Sequence, residues 1–472
     1  MSPAASSPRE TLALERAFHH AADHLAGLDA RPVGATLSPE ALRANLDVGL
    51  HDHGVAPAQV VDELVEAVRG GLHGMAGARF FAWVIGGALP AALATDWLVS
   101  AWDQNAALHA CSPASGVVEE VAGKWLLEIL DLPRDASFAF TTGCQMAHLT
   151  CLAAARNAVL AAAGWEVETQ GLFGAPPIRI LANDQRHGTI GRAVRMLGLG
   201  TNAVRALPTG EDGRLPPGTL RAALAEGGGP TILLLDAGDL NVGGCDPFAE
   251  LVPLAKAAGA WVHVDGAFGL WARASRAHRH LVEGVELADS WASDAHKWLN
   301  TPNDCGLAFV RDTVAHRAAM TLTADYLVAG GGVRDQIDWT PEWTRRARGF
   351  PVYAALRELG RNGVADLIDR CCGHALALTE GIGALDGAEL VARPTLNQGL
   401  VRFPSLRPGA TDAEHDRRND ELIAAINATG EAFFSGTVWR GRRAMRISVC
   451  NWRTGEADVR RTVAAVAKVL AA

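Results

Sequence analysis

One lysine of this chain has a local setting that is unusual for a surface residue. Lys297 lies between His296 and Trp298, shortly after an apolar segment that runs from Leu287 to Trp291. The 472-residue chain contains 43 lysines and arginines, but only four of these are lysines. A partly desolvated lysine has a lowered pKa, and its neutral amine can form a Schiff base with a carbonyl compound. The motif predicts such a covalent lysine, although a structural lysine fits these residues equally well.

An acidic residue follows a predicted buried strand. The apolar run Trp261–Val264 is typical of such a strand, and Asp265 stands at its carboxyl end. Ligand sites in open α/β sheets lie at that edge. A carboxylate there can keep a pyridine nitrogen protonated, which makes the ring an electron sink. The alternative is an aspartate that merely caps the next turn. However, Asp265 stands only 32 residues (297 minus 265) before Lys297, which favours a shared site.

A glycine turn marks a third candidate element. Gly143, Cys144 and Gln145 follow the predicted strand Phe138–Phe140 and open an alanine-rich helix that extends to about Asn157. Free backbone N–H groups and the positive end of the helix dipole can bind a phosphate group there. A plain glycine turn before a helix is the alternative. The chain has no Walker A sequence and no GxGxxG with a downstream acid, which argues against a nucleotide cofactor.

A histidine stands after another predicted strand. His187 follows the apolar run Ile178–Leu181 and could stack on a cofactor ring at the same sheet edge. A lone histidine is more often structural, so this assignment depends on the other three elements. A covalent lysine, an acid for a pyridine nitrogen and a phosphate site together indicate pyridoxal 5′-phosphate (PLP).

With these residues in place, the chain resembles the group II PLP-dependent amino acid decarboxylases, which include the aromatic-amino-acid, histidine and glutamate decarboxylases. The similarity covers about residues 75–455. The family's His-Val-Asp-x-Ala-(Phe/Tyr) motif corresponds to His263–Phe268, and its His-Lys-Trp motif corresponds to His296–Trp298. A family Phe-Phe stretch ahead of Ser-Pro-Ala corresponds to Phe80-Phe81 and Ser112–Ala114. The resemblance implies PLP fold type I, the aspartate aminotransferase fold, and a homodimer whose active sites lie at the subunit interface.

The resemblance also implies roles for individual residues. Lys297 would form the Schiff base with the cofactor, Asp265 would pair with the pyridine nitrogen, and His187 would stack on the ring. These three are the catalytic candidates. The cofactor-binding set implied by the motifs is Gly143, Cys144, Gln145, His187, Asp265, Asp294, His296 and Lys297. Candidate substrate contacts are Phe80, Trp83, Gln336 and Arg446, the last of which fits a structural arginine about as well.

The implied reaction is removal of the α-carboxylate of an L-amino acid as CO2, and this chain departs from the family pattern at several positions. Many relatives carry a tyrosine on a loop that corresponds to Ala329–Trp343 here, where Gln336 stands near the expected site. Asp294 replaces a common Asn, Asp239 replaces a usual Thr, and Cys144-Gln145 replaces small and hydroxyl residues. Other PLP chemistry at Cα or Cβ therefore stays open, namely aldehyde-forming oxidative deamination, aldol-type cleavage or aminotransfer. A catalytically silent PLP-binding protein is a further alternative.

Three sections of the chain must position these residues. Helical spacing of apolar residues predicts a helical N-terminal segment over residues 1–75. Short apolar runs that alternate with helical stretches predict a large α/β domain with a mainly parallel central sheet over residues 76–343. Helices and two alternating strands, Gly399–Phe403 and Met445–Val449, predict a small α+β domain over residues 344–472. The glycines at 330–332 predict a flexible loop.

Composition excludes several classes of protein. The net charge is −9 and no block of Lys and Arg occurs, so nucleic acid and anionic membranes are poor partners. No apolar run reaches the roughly 18 residues of a membrane span. The sequence also has no secretory signal and no CxxC pair. These features predict a cytoplasmic protein with reduced thiols. We expect no metal site, because the N-terminal histidines have no convergent partners. The absence of a GxSxG motif argues against a serine hydrolase.

Overall fold

The N-terminal segment forms three helices that begin at prolines. The structure is a computed structural model that describes residues 8–321 and 333–472. Helices α1 (Pro8–Ala26), α2 (Pro39–Leu46) and α3 (Pro57–Val68) lie in this segment, and α1 packs against α3. Proline suits the first turn of α2 and α3, because its φ angle is helical and no N–H partner is needed there. The expected helical N-terminal pattern is therefore present.

A seven-stranded sheet forms the centre of the molecule. Its spatial order is β1-β7-β6-β5-β4-β2-β3, and within the described residues β7 alone runs antiparallel to its neighbours. The mainly parallel sheet predicted from the apolar runs is confirmed. The strands are β1 (Ser137–Thr141), β2 (Arg179–Asn183), β3 (Val204–Leu207), β4 (Thr231–Asp236), β5 (Trp261–Asp265), β6 (Ser290–Asp294) and β7 (Gly306–Val310).

Helices cover both faces of this sheet, which explains why its central strands lack polar alternation. One face packs against α6, whose buried side is rich in small residues such as Ala147, Cys151 and Ala154 and so lies close to the strands. The other face packs against α5, α9 and α10. The helices of this region are α4 (Pro90–Trp102), α5 (Pro113–Ile129), α6 (Cys144–Ala162), α7 (Val167–Gln170), α8 (Gly188–Met196), α9 (Pro217–Ala225), α10 (Phe248–Ala257) and α11 (Thr313–Met320).

The C-terminal part combines helices with a second, antiparallel sheet. Its four strands have the order β10-β11-β9-β8, and both strands predicted from alternation are confirmed as β9 and β11. The long helix α12 is kinked at Gly360, where φ is 59°. The elements are α12 (Gly349–Gly383), β8 (Glu389–Ala392), β9 (Gln398–Arg402), α13 (Asp412–Ala428), β10 (Ser435–Trp439), β11 (Arg442–Ser448) and α14 (Glu456–Leu470).

The aromatic segment near residue 80 lies against the C-terminal sheet. The backbone N–H of Phe81 donates to the Phe433 carbonyl, and the Ser448 N–H donates to the Phe81 carbonyl, so this segment is bound to the C-terminal sheet. The domain boundaries at 75/76 and 343/344 stay predictions. The expected flexible loop at 330–332 lies outside the described residues, as does Tyr326.

The composition predicted reduced thiols and no membrane span. All eight cysteines are free thiols, and seven of them are buried. In the described parts of the chain, no helix combines the length and the apolar character needed to cross a membrane.

Candidate active site

The carboxyl ends of the central strands open into a cavity of about 350 Å³, a volume within the range of small-molecule sites. Three parallel strands, β4, β5 and β6, end there beside the first turn of α6. This is the sheet edge at which a ligand site is expected. The predicted residues that line the cavity are Trp83, Gly143, Cys144, Gln145, His187, Asp265, Asp294, His296, Lys297 and Arg446.

Lys297 is held in a tight turn by a buried asparagine. Asn300 follows three residues later, is 0% exposed and has a left-handed φ of 54°. Its Oδ1 accepts the backbone N–H groups of Gly87 and Trp452, and its Nδ2 donates to the carbonyls of Trp298 and Cys450. One side chain thus joins the lysine turn to two other segments. Sequence reasoning missed Asn300, since only its position beside the lysine motif distinguishes it.

The amine of Lys297 forms an ion pair within the site. Its Nζ lies 3.0 Å from Asp294 Oδ2, and the lysine side chain is 20% exposed. Burial lowers the pKa of Lys297, but the negative charges of Asp294 and Asp265 raise it by more, so the net pKa lies above its ordinary value. The lowered pKa expected from desolvation is therefore wrong for this environment. The other three lysines, Lys124, Lys256 and Lys468, are exposed and do not line the cavity.

Asp265 lies at the end of β5 and on the floor of the cavity. Its Oδ1 accepts the backbone N–H of Ala267 at 3.1 Å, and its Oδ2 lies 3.4 Å from Nε2 of His148. Burial raises the pKa of Asp265, but His148, then His187 and Lys297, lower it by more. The net pKa lies below the ordinary value, so Asp265 is a carboxylate at neutral pH.

Two buried histidines behind Asp265 were missed by sequence reasoning. His148 on α6 and His263 on β5 are both 0% exposed, and their rings meet edge to face. Burial, and then the charge of His148, lower the pKa of His263 well below its ordinary value. The available signal was a histidine in the middle of an apolar strand, together with a histidine one helical turn after Cys144.

The first turn of α6 already binds a carboxylate. The backbone N–H of Cys144 donates to Asp294 Oδ1 at 2.6 Å, as expected for an anion at a helix N-terminus. Gly143 lies against Gly306 of β7, where an added Cβ would stand 2.3 Å from the Gly143 carbonyl carbon. His296 completes this corner, with its Nδ1 2.9 Å from the Cys305 carbonyl oxygen. The site can therefore hold an anionic group beside Lys297.

His187 caps the helix that begins beside the cavity. The Thr189 backbone N–H donates to its Nδ1, and the Thr189 hydroxyl lies 2.7 Å from the same nitrogen. An accepting Nδ1 places the proton of the neutral ring on Nε2. Burial lowers the pKa of His187, an effect that Asp265 partly opposes. The ring is therefore neutral at pH 7.

The four candidate substrate residues divide into two pairs. Trp83 lines the cavity and has a left-handed φ of 56°, as has Val84 at 57°; such strain in non-glycine residues is often found at functional sites. Arg446 also lines the cavity. In the described part of the chain, Phe80 and Gln336 do not line it. Phe80 stacks on Phe433 below Trp83, and Gln336 is buried against Gly116.

Arg446 is a buried cation on the wall of the cavity. It is 8% exposed, and its Nε has no hydrogen-bond partner among the described residues. Burial lowers the pKa of Arg446 to about 10, while Asp239 opposes this shift. The side chain therefore remains cationic at neutral pH. Asp239 itself is occupied by the backbone N–H groups of Asn241 and Val242.

A third acid of the cavity, Asp236, was not among the predicted residues. Asp236 ends β4 directly beside Asp265 in the sheet and accepts a hydrogen bond from Asn183. Burial raises the pKa of Asp236 well above its ordinary value, and the charges of Asp265 and Asp246 add to this effect. The uncharged form is favoured there, because a second anion beside Asp265 would be repelled.

Three side chains at this end of the sheet are of types that bind metals. Cys144, His148 and Asp265 place one candidate ligand atom each within 4.8 Å of one another. Each of these atoms lies within hydrogen-bonding reach of another member of the same group. We interpret the cluster as a hydrogen-bonded network, and the expectation of no metal site stays a prediction.

The fold and this site define a PLP-binding α/β enzyme of fold type I. A sequence model described as the pyridoxal-dependent decarboxylase conserved domain matches residues 39–405. The chain therefore belongs to the pyridoxal-dependent decarboxylase family, whose cofactor is PLP. The predictions of the family, the fold and the cofactor are confirmed.

Individual relatives are similar over most of their length. The chain is 31% identical to the L-2,4-diaminobutyrate decarboxylase of Rhizobium meliloti (strain 1021), over 79% of this chain and 74% of that protein. It is 27% identical to the 4-hydroxyphenylacetaldehyde synthase of Rhodiola rosea, over 87% and 84% of the two chains. The crystal structure of Oryza sativa TDC with PLP and tryptamine superposes with a TM-score of 0.91 at 27% identity, and covers 100% and 99% of the chains.

The residues of the cavity fit PLP chemically. A lysine amine, an ionised aspartate and a helix N-terminus that binds an anion all surround one cavity. These groups match the aldehyde, the pyridine nitrogen and the phosphate of the cofactor respectively. The carboxylate of Asp294 at the anion site is the feature that distinguishes this arrangement.

Proposed function

We propose that the protein is a lyase that removes the α-carboxylate of an L-amino acid as CO2, with Lys297 as the residue that carries PLP. The observation that supports this most directly is the convergence of Lys297, Asp265 and the first turn of α6 on one cavity. Bound PLP supplies an electron sink for the negative charge that develops at the substrate α-carbon. The side chains of the site bind the cofactor, orient the substrate and transfer protons.

Each of these side chains has a role set by its charge. Asp265, an anion at neutral pH, would hold a proton on the pyridine nitrogen of the cofactor. The N-terminus of α6 would bind the phosphate through Gly143, Cys144 and Gln145. His187, neutral and protonated on Nε2, would lie beside the ring and could give a proton from that nitrogen. Lys297 would hold the cofactor covalently through its amine.

The walls of the cavity orient the substrate. Trp83 and Val84 contribute apolar surface on one side, and Phe268 and Leu240 contribute it on another. Arg446 is the cation available for a carboxylate group of the substrate. An apolar surrounding with one fixed cation holds the substrate in a single orientation and keeps bulk water away from the reacting bond.

Aldehyde-forming oxidative deamination is the second candidate function. It is favoured by the absence of a tyrosine from Ala329–Trp343 and by the similarity to the 4-hydroxyphenylacetaldehyde synthase. In that reaction the amino acid, O2 and water yield CO2, ammonia, hydrogen peroxide and an aldehyde. Decarboxylation alone yields CO2 and an amine and consumes no O2.

The proposal includes a homodimer with shared active sites. It is supported by exposed apolar side chains along the N-terminal helices and α4, which include Leu14, Phe18, Leu64, Trp97 and Trp102. The rings of Phe18 and Trp97 meet edge to face with centroids 6.3 Å apart, and exposed apolar side chains that adjoin one another are typical of a protein interface. Sedimentation equilibrium should give twice the mass of one chain, and a monomer at micromolar concentration would contradict this part.

The test compares wild type with Lys297→Ala and with the surface control Lys256→Ala. Wild type and the control should show a visible absorbance band that borohydride removes, and mass spectrometry should find the cofactor on Lys297. Release of CO2 and amine from a panel of amino acids supports the decarboxylase, and the panel identifies the substrate. O2 uptake with aldehyde and peroxide supports the second candidate. A wild type that binds no PLP would contradict both.

A further inference from the structure

Three buried side chains connect Asp265 with the interior of the sheet. Nε2 of His148 lies 3.4 Å from Asp265 Oδ2, and its Nδ1 lies 2.9 Å from His263 Nε2. Nδ1 of His263 lies 2.9 Å from Ser290 Oγ, which also accepts a 2.9 Å hydrogen bond from Trp261 Nε1. His148, His263 and Ser290 are each 0% exposed, so their polar atoms depend on these partners.

The charge of Asp265 fixes a proton on the histidine nitrogen that faces it. A lone pair on His148 Nε2 would be repelled by the carboxylate 3.4 Å away, so this nitrogen carries a proton and donates. Nδ1 of His148 and Nε2 of His263 face each other at 2.9 Å and share one proton in the hydrogen bond between them. Nδ1 of His263 is hydrogen-bonded to the Ser290 hydroxyl, whose oxygen also accepts the Nε1–H of Trp261.

The other titratable groups around this series leave the arrangement intact. Cys144 Sγ lies 3.4 Å from His148 Nε2, but burial raises the pKa of this thiol well above its ordinary value, so it stays uncharged. Lys297 and His187, which line the cavity, also lower the pKa of Asp265. Of the three groups, His148 is the one in ion-pair contact with the carboxylate, at 3.4 Å.

We infer that His148 is a positioning residue for the cofactor ring, because it donates to Asp265 while His263 and Ser290 hold its imidazole in one orientation. This inference rests on the proposed role of Asp265 toward PLP. A carboxylate that is oriented and kept ionised holds the proton on the pyridine nitrogen and so maintains the electron sink. Outer hydrogen-bond partners of this kind keep a functional group in its productive geometry.

Two substitutions of His148 separate the contact with Asp265 from the contact with His263. The amide nitrogen of glutamine reaches the position of the imidazole Nε2, so His148→Gln keeps a donor toward Asp265. Asparagine reaches only the position of Nδ1, so His148→Asn keeps the contact with His263 and loses the one with Asp265. His316 is the matched control, since it is also 0% exposed and hydrogen-bonded to Ser137 but lies away from the cavity.

The measured quantity is the protonation state of the pyridine nitrogen of the cofactor. Each holoenzyme is loaded with PLP that carries ¹⁵N in the ring, and the ¹⁵N NMR shift reports whether that nitrogen is protonated. We expect a protonated nitrogen in wild type, His148→Gln and His316→Gln, and a shift toward the unprotonated value in His148→Asn. In His148→Asn, kcat should fall about 10- to 100-fold, the range known for outer partners of metal ligands, while KM changes little.

Several outcomes would overturn the inference. One is a ring nitrogen in His148→Asn that is as protonated as in wild type. Another is an equal loss of the protonated form in His316→Gln, which would indicate a general effect of packing. If His148→Asn does not fold, His263→Asn carries the test, since it frees the imidazole of His148 to turn and should produce a smaller shift in the same direction.

The experiment also distinguishes this inference from the proposed function. The NMR shift is measured on the bound cofactor without any substrate, so the inference survives if the enzyme catalyses another reaction of PLP. If wild type carries no PLP on Lys297, the proposed function and the inference both fail. If wild type binds PLP on Lys297 with an unprotonated ring nitrogen, the inference and the role of Asp265 fail, while Lys297 stands as the residue that carries PLP.

Discussion

Asp294 and Lys297 form an ion pair of 3.0 Å between the carboxylate Oδ2 and the amine Nζ. The same carboxylate accepts the backbone N–H of Cys144 through Oδ1, at the start of α6. Asp294 therefore stands between the amine that captures the cofactor and the backbone groups that bind its phosphate. Its negative charge favours the protonated lysine and opposes a second anion at the helix terminus.

Replacement of Asp294 by asparagine should make PLP capture easier at neutral pH. The pKa of Lys297 is raised, and Asp294 is the largest of the raising causes. Only the neutral amine attacks an aldehyde, so wild type should incorporate PLP faster as pH rises toward that pKa. In Asp294→Asn, burial dominates, the pKa falls, and the pH profile of incorporation should move to lower pH. The rise of the cofactor absorbance after mixing measures this.

The pair of Lys256 and Asp289, in which the lysine is half-exposed and the aspartate is buried, provides the control for Asp294→Asn. Its atoms are separated by a similar 2.5 Å, but it lies away from the cavity. Asp289→Asn should leave the pH profile of PLP incorporation where wild type has it. An Asp294→Asn profile that coincides with wild type would show that Asp294 does not control the charge of Lys297.

Gly306→Ala should weaken PLP binding by displacing the first turn of α6. An added Cβ would stand 2.3 Å from the carbonyl carbon of Gly143, and rigid backbone cannot move aside as a flexible side chain can. Overpacking of this kind costs about 1–3 kcal/mol. The PLP dissociation constant, measured by titration of the apoprotein, should rise, and the thermal midpoint should fall.

The control for Gly306→Ala is a glycine with free space around it. Gly373 lies within α12, and no atom stands within 4 Å of its would-be Cβ. Gly373→Ala should stabilise the protein by about 0.5–1 kcal/mol, because alanine is the better helix former. Equal PLP affinity in Gly306→Ala and wild type would refute the proposed contact with the phosphate site.

Asn300→Asp should destabilise the protein although it changes a single atom. The carbonyls of Trp298 and Cys450 would lose their donor and face an oxygen instead. Each buried carbonyl that loses its partner costs about 1–3 kcal/mol, so the loss of two should lower the free energy of unfolding by roughly 2–6 kcal/mol. Urea unfolding of the apoprotein measures this loss.

An exposed asparagine provides the comparison for Asn300→Asp. Asn45 also donates from Nδ2 to a backbone carbonyl, that of Ala67, but it lies on the surface. Asn45→Asp should change the stability by no more than about 0.5 kcal/mol, because water replaces the lost donor. Equal effects of the two substitutions would show that Asn300 does not hold the lysine turn.

The sequence predicted the residues that stand at the ends of strands. Asp265 and Lys297 follow apolar runs, and parallel strands bring their carboxyl ends to one edge, so their convergence follows from sheet geometry. The glycine turn at Gly143 could be placed for the same reason. The mainly parallel sheet was predictable because strands that are buried on both faces lack polar alternation.

The residues that support the site from behind could not be predicted in this way. His148 faces Asp265 only because α6 packs across β5, and no local pattern specifies that crossing. Asn300 joins segments separated by about 150 to 210 residues. The raised pKa of Lys297 likewise depends on the position of Asp294 in space, whereas the sequence suggested only that burial would lower it.

Arg446→Gln tests whether the buried cation of the cavity binds the substrate. Arg446 is 8% exposed, and its pKa of about 10 keeps it charged at neutral pH. Loss of a charged partner in a desolvated site should raise KM about 10- to 100-fold with a smaller effect on kcat. Arg446→Lys should recover part of this loss, since it keeps the charge but not the planar fork.

Arg440→Gln, on the exposed turn before β11, is the control and should behave as wild type. Steady-state kinetics with the substrate identified by the panel decide the question. A KM that stays at the wild-type value in Arg446→Gln would leave Arg446 as the electrostatic partner of Asp239 and remove it from the substrate site.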